Sequence, residues 1–266
     1  MSGIAEGFTQ ECEALAGLLG GLAVSDWRLV TAFFDWTIAD EVMHLRLTDG
    51  FGLVSMSDPV AFRRLVAAVR ADQAAGIELS QRMRSEFGAL APAALLAAWT
   101  DGWINLGQRL AKADPGSRLS WFGPDIGLAA FAAARQMEVW AHGQDIYDRL
   151  GLRRFNTDRI RPVCDLGVRT QGWSFRNRGL ERPAAPRVCL TAPSGAAWAW
   201  NEDADEVIAG PAEDFALVVT QRRHVDDTEL DVRGRGARTW MEIAQCFAGP
   251  PETGPARGLR RVVYSD

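Results

Sequence analysis

The hydrophobic pattern of this 266-residue chain changes period once, after Pro183. Before that point apolar residues recur at helical spacing. After it, short apolar runs are separated by Pro/Gly turns. A long helical stretch followed by mixed segments predicts an α+β fold in two domains, because each layer has to bury its own apolar face. The junction is expected in the Pro-containing segment 180–186, giving a helical domain at 1–182 and a small α+β domain at 183–266.

Local signals fill in this outline. Helices are expected over 4–23, 37–49, 58–86, 91–113, 124–150 and 157–176. Thr37 is a fitting N-cap, with the acid Asp40 three residues on, a short form of the capping box. Asp58-Pro59 pairs an N-cap with a proline at the first helical position, and Pro92 and Pro124 repeat that device. Gly151 suits a helix C-terminus. Beyond Pro183, the runs 187–191 and 196–200 flank Ala192-Pro-Ser-Gly195, a hairpin signature. A strand at 206–210, a helix at 211–222, a strand at 229–233 and a helix at 236–248 follow.

Composition narrows the function classes. Apolar residues at 47% and charged residues at 24% exclude a disordered chain. A formal charge of −5 supplies no excess of cations to displace counterions, so no nucleic-acid partner is expected. No apolar run approaches the ~18 residues of a membrane span. Met1–Gln10 lacks the basic and apolar regions of a secretory signal, so a cytoplasmic location is expected. Cys12, Cys164, Cys189 and Cys246 are dispersed and form no CxxC pair. That excludes a zinc finger and reads as reduced, mostly buried thiols.

Three histidines limit any metal chemistry: His44, His142 and His224. Glu138 and His142 are four residues apart, about 40° around a helix, with Arg135 and Asp145 on the same face. His44 lies in the 37–49 helix, with Asp40 one turn before it. If these two helices are neighbours in a bundle, His44 can face Glu138 and His142. Two His and one Glu are the ligand set of an open zinc site, and bundle cores are a usual place for one. Asp40 and Asp145 are then placed to orient the imidazoles. A plainer reading makes Glu138–His142 an exposed pair worth a few tenths of a kcal/mol and His44 a core histidine.

Other residues read as structural. Arg222, Arg223 and His224 end a helix, where cations favour the dipole. Trp99 and Trp103 form a core stripe, and Trp140 points away from the Glu138 face. Arg169, Arg176 and Arg178 form a solvated basic stretch. Neither a GxSxG nor a P-loop is present.

Trp36-Thr37, Asp40 and His44-Leu45, together with Glu138, His142 and Asp145, resemble the DinB-like metal-dependent fold. More closely, they resemble the mycothiol-dependent maleylpyruvate isomerase family. Gly167-Val-Arg-Thr170 and Asn177-Arg-Gly179 are similar to an actinobacterial branch known only as metal-binding. The resemblance spans essentially the whole chain. It implies an N-terminal four-helix bundle and a small C-terminal domain similar to sterol carrier proteins. It also implies a divalent metal, usually zinc, held by His44, Glu138 and His142. The thiol cofactor it implies is mycothiol, whose thiolate attacks a small electrophile in isomerisation or S-transfer, with no nucleophilic cysteine from the chain. The resemblance further implies an arginine in the C-terminal domain for a carboxylated substrate, for which Arg222 and Arg223 are candidates. No other catalytic residue is assigned, and a monomer or homodimer is expected. The alternative is a non-catalytic, metal-stabilised ligand-binding or sensor protein.

Overall fold

Thr37 starts the helix that carries the first histidine. Its hydroxyl accepts the N–H of Asp40, and the Asp40 carboxylate accepts the N–H of Thr37, so the full capping box forms. The structure, a computed structural model, describes residues 2–260. It divides into two compact units, Met1–Arg149 and Leu150–Asp266.

The first unit holds α1 (Ser2–Gly20), α2 (Ile38–Ser57), α3 (Pro59–Ala74), α4 (Leu79–Phe87), α5 (Pro92–Lys112) and all but the end of α6 (Leu128–Leu150). Four of these pack together as a bundle, and small residues mark where they touch. A Cβ on Gly7 of α1 would lie 2.9 Å from Gln136 of α6, and one on Gly107 of α5 would lie 2.7 Å from Thr9 of α1. A Cβ on Gly52 of α2 would lie 2.9 Å from the Phe131 ring of α6. Phe8, Leu45, Trp99, Leu106, Phe131 and Trp140 are buried between the helices.

Three boundaries of the first unit differ most from the sequence expectation. α2 continues past residue 49 to Ser57, because Gly50 and Gly52 sit inside the helix. The expected 58–86 helix is two helices. Gly76 turns the chain at φ 77°, and the Ile77 N–H reaches back to the Asp72 carbonyl. Glu78 and Gln81 then cap the start of α4. Two short strands, β1 (Arg118–Leu119) and β2 (Ile126–Gly127), pair antiparallel before α6 and shorten it at its start.

The second unit holds α7 (Arg161–Arg169), α8 (Gln171–Arg176), α9 (Ala212–Val219) and α10 (Arg235–Ile243) with a four-stranded sheet. Its strands are β3 (Arg187–Thr191), β4 (Ala197–Trp200), β5 (Val207–Pro211) and β6 (Asp231–Arg233), in the order β4-β3-β5-β6. The expected hairpin forms as the antiparallel β3–β4 pair, with Cys189 opposite Ala199. β5 runs parallel to β3, and β6 antiparallel to β5, so the sheet is mixed. Gly167 of α7 lies against Phe215 and Val219 of α9. Val188, Leu190, Ile208, Phe215 and Trp240 form the core. Thus α7 and α8 pack in the unit that carries the sheet, and the break falls at 149/150, earlier than 182/183. Among the described residues, no helix is long and apolar enough to cross a membrane.

Candidate metal centre

α2 and α6 lie side by side and bring together the two histidines that the sequence pairs. Asp49 of α2 and Arg135 of α6 fix their register. Arg135 Nη2 donates to Asp49 Oδ1 at 2.9 Å and to Thr48 Oγ1 at 2.8 Å. The Trp99 indole N–H of α5 donates to the other Asp49 oxygen at 3.2 Å. Two helical turns further along α6, His142 faces α2 beside Glu138.

His44 Nε2 is 3.1 Å from Glu138 Oε2, and His142 Nε2 is 3.3 Å from the same oxygen. The imidazole centroids are 4.4 Å apart. Burial grades across the group: side-chain exposure is 5% at His142, 12% at His44 and 23% at Glu138, so the site opens on its carboxylate side. Burial would lift the Glu138 carboxyl. Its bonds to His142 and His44 outweigh that and hold it well below the usual carboxylate range.

This donor set fits a divalent ion. Bonds of about 2.1 Å at tetrahedral angles put neighbouring donors about 3.4 Å apart, close to the two nitrogen–oxygen distances of the triad. All three residues offer a donor atom within 4.8 Å of the others. Two His and one Glu are also the set that leaves a fourth zinc position open.

The surroundings contain residues that the sequence reading missed. His142 Nδ1 is 2.7 Å from Oε2 of Glu41, a fully buried acid on α2. The Thr31 hydroxyl donates to Glu41 Oε1 at 2.7 Å. Thr31 belongs to a loop closed by a bridge between Val30 and Thr37. That loop carries two aromatic rings against the site. Trp36 stacks parallel to His142 at 6.0 Å and leans on His44 at 5.3 Å, and Phe33 meets His142 edge-on at 5.1 Å. Phe34 and Asp35, at φ 47° and 54°, turn the loop tip in the left-handed region, which is costly for a non-glycine residue. Glu41 lies three residues before His44, itself a same-face helical offset, so spacing could have singled it out, although the histidine it serves is on another helix.

Asp40 directs its carboxylate elsewhere. Oδ1 accepts Arg84 Nε at 2.7 Å and Oδ2 accepts Thr37 and Arg84, so its described bonds go to the helix cap and α4 and none to His44. Asp145 is buried and lies with Glu41 and His142 in a second close group. Arg222 and Arg223 are buried in the second unit. Arg222 Nη1 donates to the Thr220 carbonyl, and Arg223 Nη1 to the Arg222 carbonyl. His224 caps a single turn by accepting the Asp226 N–H at 3.1 Å.

Comparison with known proteins places this arrangement. The model of the mycothiol maleylpyruvate isomerase N-terminal domain family matches residues 8–147. The chain belongs to that family. An uncharacterized protein of Mycobacterium tuberculosis, found in strains CDC 1551 / Oshkosh and ATCC 25618 / H37Rv, is 39% identical over 246 residues. That match covers 92% of this chain and 95% of the relative. The crystal structure of the mycothiol-dependent maleylpyruvate isomerase matches with a TM-score of 0.51 at 12% identity. It covers 81% of this chain and 86% of that one, a likeness of fold. The matched family segment contains α2, the aromatic loop and the triad-bearing part of α6.

Proposed function

We propose that this protein is a metal-dependent enzyme, with zinc at His44, Glu138 and His142, that uses a low-molecular-weight thiol such as mycothiol. The reaction is isomerisation or S-transfer on a small electrophilic substrate. The observation that carries the reading is the convergence of two imidazole Nε2 atoms on one Glu138 oxygen at 3.1 and 3.3 Å. A bound zinc ion supplies the Lewis acidity that turns a thiol into a thiolate at neutral pH. The chain's residues do the rest. His142, His44 and Glu138 leave the partly exposed side of the group for incoming ligands. Trp36 and Phe33 cover the imidazole faces and keep water from them. Two of the chain's own buried thiols are poor nucleophiles: burial pushes Cys12 and Cys164 well above their ordinary value. That favours a thiol supplied from outside.

Elemental analysis of purified protein tests this reading. One zinc ion per chain is expected, lost in His142→Ala and in Glu138→Ala. Zinc-loaded protein should consume mycothiol in the presence of an electrophile such as chlorodinitrobenzene, and the metal-free protein should not. A wild-type chain that binds no divalent metal overturns the proposal. A chain that binds zinc but turns over no thiol returns the reading to a metal-stabilised binding protein.

A further inference from the structure

Both nitrogens of His142 face carboxylates, and the two carboxylates differ in kind. Glu138, at Nε2, is partly exposed and shared with His44, whereas Glu41, at Nδ1, is fully buried. Glu41 is itself fixed from behind. Thr31 donates its hydroxyl hydrogen to Glu41 Oε1, while Thr31 Oγ1 accepts the Phe33 N–H at 3.2 Å. The Glu41 side chain therefore presents Oε2 to His142 and cannot easily turn. His44 has no such support: its Nδ1 is buried with no protein partner among the described residues.

We infer that Glu41 is a positioning residue for the candidate metal centre, holding the ring proton of His142 on Nδ1 so that Nε2 stays bare for the ion. This inference rests on the metal reading proposed above. An ionised carboxylate only accepts hydrogen bonds, so Glu41 at 2.7 Å keeps hydrogen on Nδ1, while the Nε2 side, where Glu138 is farther off at 3.3 Å, is the one open to an ion. Support of this kind orients a ligating ring and raises its basicity. Through Thr31 the same carboxylate joins the metal ligand to the loop that carries Phe33 and Trp36. The holding of the ion and the covering of its imidazoles therefore share one buried acid.

Glu41→Gln is the decisive variant, because it keeps the shape and reverses the chemistry. Thr31 keeps donating to the amide oxygen, so the amide NH2 faces Nδ1 and drives the ring proton to Nε2. The full-length chain is titrated with zinc against a chelator. Long-range nitrogen–proton spectra of the zinc-loaded protein then read the tautomer of each of the three imidazoles. Wild type should carry its His142 proton on Nδ1. Glu41→Gln should bind zinc about 10- to 100-fold more weakly, and Glu41→Asp should recover part of the loss. Circular dichroism of the metal-free variants controls for folding. Equal zinc affinity in wild type and Glu41→Gln overturns the inference and leaves the metal reading standing, whereas a His142 proton on Nε2 of the zinc-loaded wild type removes that nitrogen as a ligand and overturns both. A wild-type chain that binds no zinc overturns both.

Discussion

Asp40 shows how one carboxylate can look like part of a site and serve the frame instead. It lies one helical turn before His44, yet its oxygens hold Thr37 and the Arg84 guanidinium. The capping half of that role is readable in the sequence, because the cap and its acid are three residues apart. The ion-pair half is not, because Arg84 is 44 residues away and on another helix. Burial would raise the Asp40 carboxyl. The bonds from Arg84 and Thr37 outweigh it and hold the group below its ordinary value. The folded chain thus binds this proton less readily than the unfolded one, and the stability it contributes is present above about pH 4 and lost as pH falls through the folded value. Asp40→Asn should cost about 1–2 kcal/mol at neutral pH, a charge-assisted bond discounted for a partner that stays half in water. Urea titrations should show the gap to wild type closing below about pH 4. A gap unchanged from pH 7 to pH 3 would contradict this account.

At the scale of elements, α2 and α6 are held in register by Arg135, and the sequence placed that residue only on the face of Glu138 and His142. Arg135 and Asp49 are both buried, and burial lifts the Asp49 carboxyl above its ordinary value although Arg135 and Trp99 pull it down. Arg135→Met leaves Asp49 buried without its guanidinium and should destabilise by about 3–5 kcal/mol. The double variant Arg135→Met, Asp49→Leu should recover most of that loss, because two apolar groups replace a pair that was costly to desolvate. Guanidinium midpoints of the three proteins decide this; a double variant no better than the single one refutes it. The same contrast explains what was legible. Periodicity and capping located the helices, and the spacing of Glu138 and His142 put two candidate ligands on one face. The place of Gly52 inside α2 is explained only by the Phe131 ring that needs the space, far along the chain. Glu41 was passed over for a similar reason, since its partner His142 is 101 residues away. Local rules see offsets of three and four residues, whereas the support of this site is built from long-range pairs.

At the scale of the whole molecule, the family match at 8–147 and the first compact unit nearly coincide, and every residue of the candidate centre lies inside both. The triad ties α2 to α6 across 94 residues of chain. An ion bound there restrains a long loop and should stabilise the folded state by mass action, about 2.7 kcal/mol at a free concentration 100-fold above the dissociation constant. Because every ligand comes from α2 and α6, the restraint acts first on those helices and on the Val30–Thr37 loop that covers them. Hydrogen exchange with and without zinc should therefore show gained protection in peptides spanning 30–57 and 128–150. The strands β3 to β6 supply no ligand, and their peptides should exchange alike in both states. Glu41→Gln, at a zinc concentration that saturates it, should restore protection along α2 and α6. Protection gained chiefly in the second unit, or none in α6, would mean that zinc binds elsewhere and that the grouping of His44, Glu138 and His142 serves the bundle alone.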